Sequence, residues 1–164
     1  MNDSNKLENN WTLWFHSINN NDWSIKSYDK VYSFNNVETF INLFRKINNF
    51  SAGMFFLMKE SIEPIWENEY NKNGGYWSFK VLKKNVNEIW YNFSSQIIGN
   101  NCLNDKNKHV LVNGISLSPK INNCIVKIWF SNIQSDINIF NIKYLEQILS
   151  GIDFKEARFV KHLK

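Results

Sequence analysis

The stretch Ser61–Trp77, SIEPIWENEYNKNGGYW, decides how the rest of the chain is read. It holds Pro64, the pair Gly74-Gly75, Trp66, Trp77 and the carboxylates Glu63, Glu67 and Glu69, with no clean helix or strand period. It therefore reads as a long loop running into a strand. Pro64 fixes its own φ and holds Glu63 extended. Gly74-Gly75 supplies a turn where positive φ carries no steric cost. Between these breakers, Trp66 and Glu67 sit side by side among polar neighbours. A large aromatic in a polar loop lacks a core role, and the carboxylate beside it accepts two N–H donors in one plane. A flat π face next to an in-plane acceptor suits the chemistry of a guanine base.

Outward from the loop, short apolar strands mix with amphipathic helices. Before it, Asn9–Ile18 (NNWTLWFHSI) alternates as a first strand, with Trp11 and Leu13 on one face and Trp14 on the other. The polar loop NNNDWS, residues 19–24, carries Trp23, and Lys30–Phe34 is a second strand. Asn36 is placed to cap a helix over Val37–Ile47, whose stripe is Val37, Phe40, Phe44 and Ile47. Met54–Met58 is a buried strand entering the loop. After the loop come a strand over Trp77–Leu82 and a helix over Val86–Ile98. Asn85 is the expected cap of that helix, Ile89, Trp90, Phe93 and Ile97 its inner side, and Gly99 its end. Lys108–Ser116 reads as a strand and Ser118–Asn123 as a turn. Cys124–Phe130 alternates strictly, Val126 and Ile128 facing the core and Lys127 and Trp129 an exposed face where they can meet a ligand. Asp136–Leu149 is a third helix and Phe154–His162 a last strand. This order predicts an α+β fold, an antiparallel sheet with helices on one face. Residues 1–6 are expected to be a disordered tail and residues 7–164 a single domain.

The bulk numbers agree with one ordinary domain: 164 residues, 43% hydrophobic and 21% charged. A net charge of +4 permits an anionic partner without demanding one. Seven Trp, several in polar settings, suggest a stacking surface. Cys102 and Cys124 have no metal spacing and read as reduced thiols of a cytosolic protein. No apolar run approaches the roughly 20 residues of a membrane span, and MNDSNKLENN lacks a signal-peptide core. His16, His109 and His162 are scattered and no helical Glu repeat occurs, which argues against an enzyme, a metal or a cofactor.

IEPIWENEYNKNGGYW resembles the cap-binding loop of the translation initiation factor 4E family, which typically reads IEPMWED(E)xNxxGGxW. NNWTLWF is similar to that family's opening strand, NRWALWF, and the likeness runs from Leu7 to His162. The resemblance implies a single curved antiparallel sheet with three helices on its convex face and a pocket on its concave face. It also implies binding of the 7-methylguanosine 5′ cap of mRNA in translation initiation. Carried over, the two stacking rings are Trp23 and Trp66. Trp23 falls one residue closer to Trp14 than in the family pattern. Glu67 would accept from the guanine N1–H and N2–H, and Trp129 would pack on the N7-methyl group. Lys120 stands where a phosphate-binding Arg is expected, while the family's other two basic contacts align with Tyr76 and Ile125. Lys127 is the substitute on the same strand face as Trp129, so the triphosphate contacts should be weaker or rearranged.

The family's helical face binds a tyrosine-x-x-x-x-leucine helix of a 4G-type scaffold or of repressors. Here Val37, Trp90 and Gly99 are retained. Ile41 replaces a Trp, Tyr91 and Ser95 replace a Leu pair, and Asn5-Lys6 replaces His-Pro. A divergent scaffold is therefore expected on Val37, Ile41, Trp90 and Tyr91. The family's C-terminal phosphoserine loop has no counterpart after His162, so that regulation is not expected. Competing readings are a cap-sequestering repressor and a hydrolase of capped or free guanine nucleotides. The expected place of action is the cytoplasm. The abundance of Asn, Lys and Ile is typical of AT-rich genomes such as those of protists and large DNA viruses.

Overall fold

A computed structural model describes residues 5–163. Strand β1 begins at Lys6, and of the expected tail, residues 1–4 lie outside the described residues. The elements are β1 Lys6–His16, β2 Asp29–Asn36, α1 Val37–Lys46, β3 Met54–Lys59, β4 Gly75–Leu82, α2 Val86–Ile98, β5 Val112–Pro119, β6 Asn123–Phe130, α3 Ile142–Ile148 and β7 Arg158–Lys161. The strands form one curved sheet in the order β2-β1-β3-β5-β6-β4-β7, every pair antiparallel. This is the expected α+β architecture.

Strand alternation divides the sheet into two unlike faces. Trp11, Leu13, Leu57, Ile115, Leu117, Phe79, Val126 and Ile128 point to the helices. There Ile89, Trp90, Phe93 and Ile97 of α2 and Phe40 and Phe44 of α1 close the main core. The opposite, open face carries a smaller cluster: Trp14, Tyr28, Phe56, Met58, Ile62 and Trp129. Apolar side chains on both faces of β3 are why that strand reads as a nearly continuous hydrophobic run.

Helix α1 starts where Asn36 caps it, accepting from the Thr39 N–H at 2.8 Å. Glu38 in the first turn and Arg45 and Lys46 in the last complement the helix dipole. Asn85, by contrast, makes no side-chain cap to α2. A 3-10 turn over Lys83–Asn85 leads into that helix instead, and Gly99 ends it with its N–H on the Ser95 carbonyl at 3.0 Å.

Three other expectations are corrected. Lys106–Leu111 is a 3-10 segment, not the start of a strand, because Asp105 caps it and His109 turns inward to accept from the Leu103 N–H. The long helix expected over Asp136–Leu149 shrinks to α3. Its first part is a 3-10 turn over Ile137–Ile139, and the backbone around it bonds outward, Asn104 N–H to Ile139 O and Asn141 N–H to Cys102 O. The last strand is short because Phe154–Glu156 is another 3-10 turn, capped by Asp153.

Gly74-Gly75 does not serve positive φ: among the described glycines only Gly151 has it. The pair is there for close approach. A Cβ on Gly74 would sit 1.7 Å from the Phe130 carbonyl oxygen, and one on Gly75 2.4 Å from that of Val160. Gly74→Ala is expected to destabilise the fold by about 3 kcal/mol or more, since backbone must shift to admit the methyl. A urea melt checks this; an unchanged midpoint would rule out the crowding.

Candidate functional site

The Ser61–Trp77 loop has no strand or helix of its own before β4, yet it is tied down from within. Asn71 is fully buried. Its Nδ2 donates to the carbonyls of Glu63 at 3.0 Å and Ile65 at 2.8 Å. Its Oδ1 accepts from Asn113 Nδ2 at 2.8 Å, and the same Asn113 nitrogen donates to Tyr70 O at 2.8 Å. Its backbone carbonyl lies 2.7 Å from His162 Nδ1, so that nitrogen carries the proton. One side chain thus links the two limbs of the loop to β5, and its carbonyl links them to the chain just after β7.

The loop presents Trp66, half-exposed at 50%, beside an exposed Glu67. Ile65, just before, packs against the open-face aromatic cluster. The Glu67 carboxylate makes no side-chain hydrogen bond among the described residues, whereas Glu63 receives Asn68 Nδ2 at 3.4 Å. Glu67 nonetheless faces that cluster electrostatically. The Tyr28 hydroxyl is pushed up to about 12, first by burial and then by Glu67. His162 is lowered by burial first and by Lys127, while its bond to Asn71 and the Glu67 charge oppose that shift.

Between these groups runs a floor of rings. Trp23, 55% exposed, stacks on His16 at 4.6 Å. His16 meets Tyr28 at 4.6 Å, Tyr28 meets Phe56 at 5.3 Å, and Phe56 meets Trp129 at 6.3 Å. Trp129 meets His162 at 4.9 Å and Tyr76 at 6.2 Å. The floor is contiguous because β1, β3, β6 and β4 bring alternate side chains to the same face. Trp129 is on the expected face but is not exposed. It is only 6% accessible, a part of the floor, with its Nε1 donating to Ser116 Oγ at 2.9 Å.

At the far end of the floor lies positive charge. Lys127 Nζ sits 4.1 Å over the Tyr76 ring. Burial lowers its pKa, and the neighbouring Lys120 lowers it further. Lys120 itself is exposed at the β5–β6 turn, where its N–H bonds Asn123 O at 2.7 Å. An ammonium whose charge is disfavoured by burial and by a neighbouring cation marks a place where an anion is stabilising. Ile125, on the same strand face as Lys127, adds none.

The structure therefore gathers Trp23, Trp129 and Lys127 on one face, with Glu67 and Lys120 within electrostatic reach of it. Trp23 and Trp66 are both half-exposed, but Trp66 stacks on no ring among the described aromatic pairs. The polar residues that build the site, Asn71, Asn113, His16 and His162, were not singled out by the sequence. Asn71 lies inside the quoted motif, which was the one available signal.

On the helical face one expectation fails. Trp90 is 0% exposed and stacks near Phe44 and Phe50 in the core, so it offers no surface to a partner. Tyr91 is half-buried against Phe40 at 5.5 Å, Ile41 is half-buried, and Val37 is 37% exposed.

Cys102 and His109 form a buried pair, Sγ to Nδ1 3.9 Å. Burial pushes the thiol up and holds His109 at about 4, with Lys59 adding to the second effect. Both are neutral near pH 7, so the pair is a staple, not an activated nucleophile. No group of three or more His, Cys, Asp or Glu able to hold a metal exists among the described residues. No described helix is long and apolar enough to cross a membrane.

The family profile described as Eukaryotic initiation factor 4E matches residues 6–163. The chain is 27% identical over 168 residues to Eukaryotic translation initiation factor 4E of Candida albicans, covering 95% of this chain and 78% of that one. It is 40% identical over 86 residues to the Dictyostelium discoideum protein of the same name, a match spanning 48% of this chain and only 34% of the relative. Among solved structures it is similar to C. elegans eIF4E-3 in complex with the 4E-binding protein Mextli and a cap analog. That likeness has a TM-score of 0.82 at 24% identity and covers 96% of this chain and 92% of the other. With a match over nearly its whole length and the fold to go with it, this chain belongs to the eukaryotic initiation factor 4E family.

Proposed function

We propose that this protein binds the 7-methylguanosine 5′ cap of mRNA and acts in cap-dependent translation initiation in the cytoplasm. The observation that carries the reading is a half-exposed Trp23 on a prebuilt aromatic floor, with the unengaged Glu67 carboxylate facing the same cluster. Its relative from C. elegans was solved with a cap analog, which agrees.

In this reading the methylated base stacks between Trp23 and Trp66. Each base–aromatic face is worth about 1–3 kcal/mol, and the positive charge of the methylated base adds a cation–π contribution. Stacking alone falls short of the roughly 8 kcal/mol of a micromolar complex. Glu67 supplies more by accepting from N1–H and N2–H, each charge-assisted bond worth about 1.5–3 kcal/mol. Trp129 forms the floor under the N7-methyl group. Lys120 and Lys127 hold the phosphates, Lys127 leaving the Tyr76 ring to do so. An ammonium keeps the charge of the family's Arg but not its fork, so this end of the site is the weaker one.

On the helical face, a scaffold of the 4G type docks through Val37, Ile41 and Tyr91. Without an exposed indole there, the partner is a divergent one.

Trp fluorescence on titration with 7-methyl-GTP and with GTP tests the reading. Quenching is expected with the first, and binding of the second weaker by at least ~2 kcal/mol. Equal affinities would overturn it.

A further inference from the structure

The half of the sheet beyond the aromatic floor contains no acidic residue. Strands β5, β6, β4 and β7 read VNGISLSP, NCIVKIWF, GYWSFKVL and RFVK, without an Asp or Glu among them. Their cations Lys127, Lys80 and Arg158 all fall on the open face. Register places them there. Lys127 lies opposite Ser78, and Ser78 opposite Arg158, so Lys127 and Arg158 share one row across β6, β4 and β7. Neighbouring strands run about 4.8 Å apart, which separates those two backbones by roughly 10 Å. Lys80 stands next but one to Ser78 along β4, and therefore about 7 Å from it on the same face. Tyr76 identifies that face, because its ring meets Trp129 of the floor. The alternate residues Phe79 and Phe159 pack into the main core, so neither strand can turn its cation away. Lys80 and Arg158 are exposed, as is Lys120 at the turn between β5 and β6. The carboxylates nearest in sequence to Arg158 are Asp153 and Glu156, at the 3-10 turn before β7, where Asp153 Oδ1 accepts from the Lys155 N–H at 2.9 Å.

A lane of positive charge thus runs from Lys127, at the phosphate end of the floor, to β7 at the edge of the sheet. We propose that this lane, through Lys80 and Arg158, binds the sugar–phosphate backbone of the RNA that follows the cap. This rests on the cap-binding reading above. Charge complementarity and continuity select that occupant. A row of cations without carboxylates suits an anion whose charge repeats along a chain, and a phosphodiester backbone is one. The RNA leaving the cap triphosphate starts beside Lys120 and Lys127. It is therefore delivered to Lys80 and Arg158 at high effective concentration, and contacts too weak to hold a free strand act once the base is held.

The lane offers no free ring to a base. Tyr76 is half-buried with Lys127 over its face, and the exposed apolar side chains along β4 and β7 are Leu82 and Val160. Without a stacking platform it holds phosphates and does not read sequence.

The test compares 7-methyl-GpppG with the same cap carried on a short run of uridines, at one pH and over a range of salt. Both ligands hold the same base and triphosphate, so what those groups contribute cancels. The oligonucleotide should bind the full chain tighter at low salt. Each phosphate contact to a single strand adds about 0.7 to the slope of log affinity against log salt, so Lys80 and Arg158 should steepen the oligonucleotide's slope by about 1.4. A tenfold rise in salt should then erode its advantage about 25-fold. In the double variant Lys80→Gln, Arg158→Gln the two slopes should coincide, with the affinity for 7-methyl-GpppG and the melting temperature unchanged. Lys161→Gln is the control for net charge, since Lys161 is exposed on β7 but lies opposite Gly75, on the other face from Arg158. It should keep the advantage that Arg158→Gln reduces. Cytidines in place of uridines should leave the advantage as it is. Equal slopes for the two ligands on the wild type, an advantage that survives the double variant, an equal loss in Lys161→Gln and Arg158→Gln, or an advantage that depends on the base overturns the proposal. Tight binding of 7-methyl-GpppG with no gain from the uridines refutes the lane alone, whereas no binding of 7-methyl-GpppG refutes the cap reading itself.

Discussion

Glu67→Gln should cost more than about a hundredfold in affinity for 7-methyl-GTP while leaving the fold untouched. A carboxylate offers two acceptors to the paired N–H donors of guanine; a carboxamide offers one acceptor and sets an N–H against the other donor. Losing two charge-assisted bonds at about 1.5–3 kcal/mol each removes roughly 3 kcal/mol or more, and 1.4 kcal/mol is tenfold. No side-chain hydrogen bond among the described residues depends on that carboxylate, and Glu67 is exposed. The melting temperature should therefore be unchanged, which separates a lost contact from a lost fold. GTP binding should weaken as well, because the same edge is read with or without the methyl group. Fluorescence titrations of both nucleotides check this. An affinity within threefold of wild type would remove Glu67 from the site.

How far the sequence leads differs between elements for physical reasons. The face assignments of β1 and β6 were legible because alternation is a local property: Trp11 and Leu13 against Trp14, Val126 and Ile128 against Lys127 and Trp129. Helix α1 was legible to its cap, since Asn36 bonds three residues ahead. The errors fall where distant backbone competes. Asp136–Leu149 has helical spacing, but segment 102–104 takes the hydrogen bonds of Ile139 and Asn141. Trp129 was expected exposed, yet Tyr76, Phe56 and His162 from three other segments cover it. Trp90 shows the opposite limit. Its place in the apolar stripe of α2 already put it inward, and the family pattern could not also make it a surface. Within the motif, Trp66 and Glu67 were conspicuous, as the residues that meet solvent tend to be. The residues that hold them, Asn71, Asn113 and His162, are ordinary polar side chains, and only the fold reveals that they meet.

Asn71→Ala should damage stability and binding together. The side chain satisfies the buried carbonyls of Glu63 and Ile65 and gives Asn113 Nδ2 an acceptor. Removing one partner of a buried hydrogen bond costs about 1–3 kcal/mol for the group left behind. Water can replace part of this where the loop reaches solvent, so the loss should be about 3 kcal/mol overall. The damage is centred on the segment that carries Trp66 and Glu67, between two carbonyls the asparagine holds at a fixed separation. Affinity for 7-methyl-GTP should therefore fall about tenfold or more even at a temperature where the variant is fully folded. Asn113→Ala is the discriminating companion. It removes the link to β5 but leaves the bonds to Glu63 and Ile65 in place, and Tyr70 O loses its donor without moving the Trp66 limb. Its stability should drop with a smaller loss of affinity. Hydrogen exchange of the loop amides measures the cause directly: Asn68 N–H to Ile65 O and Asn71 N–H to Asn68 O should lose protection in Asn71→Ala and keep it in Asn113→Ala. Equal affinity losses in the two variants would mean that general stability, not the shape of this loop, limits binding.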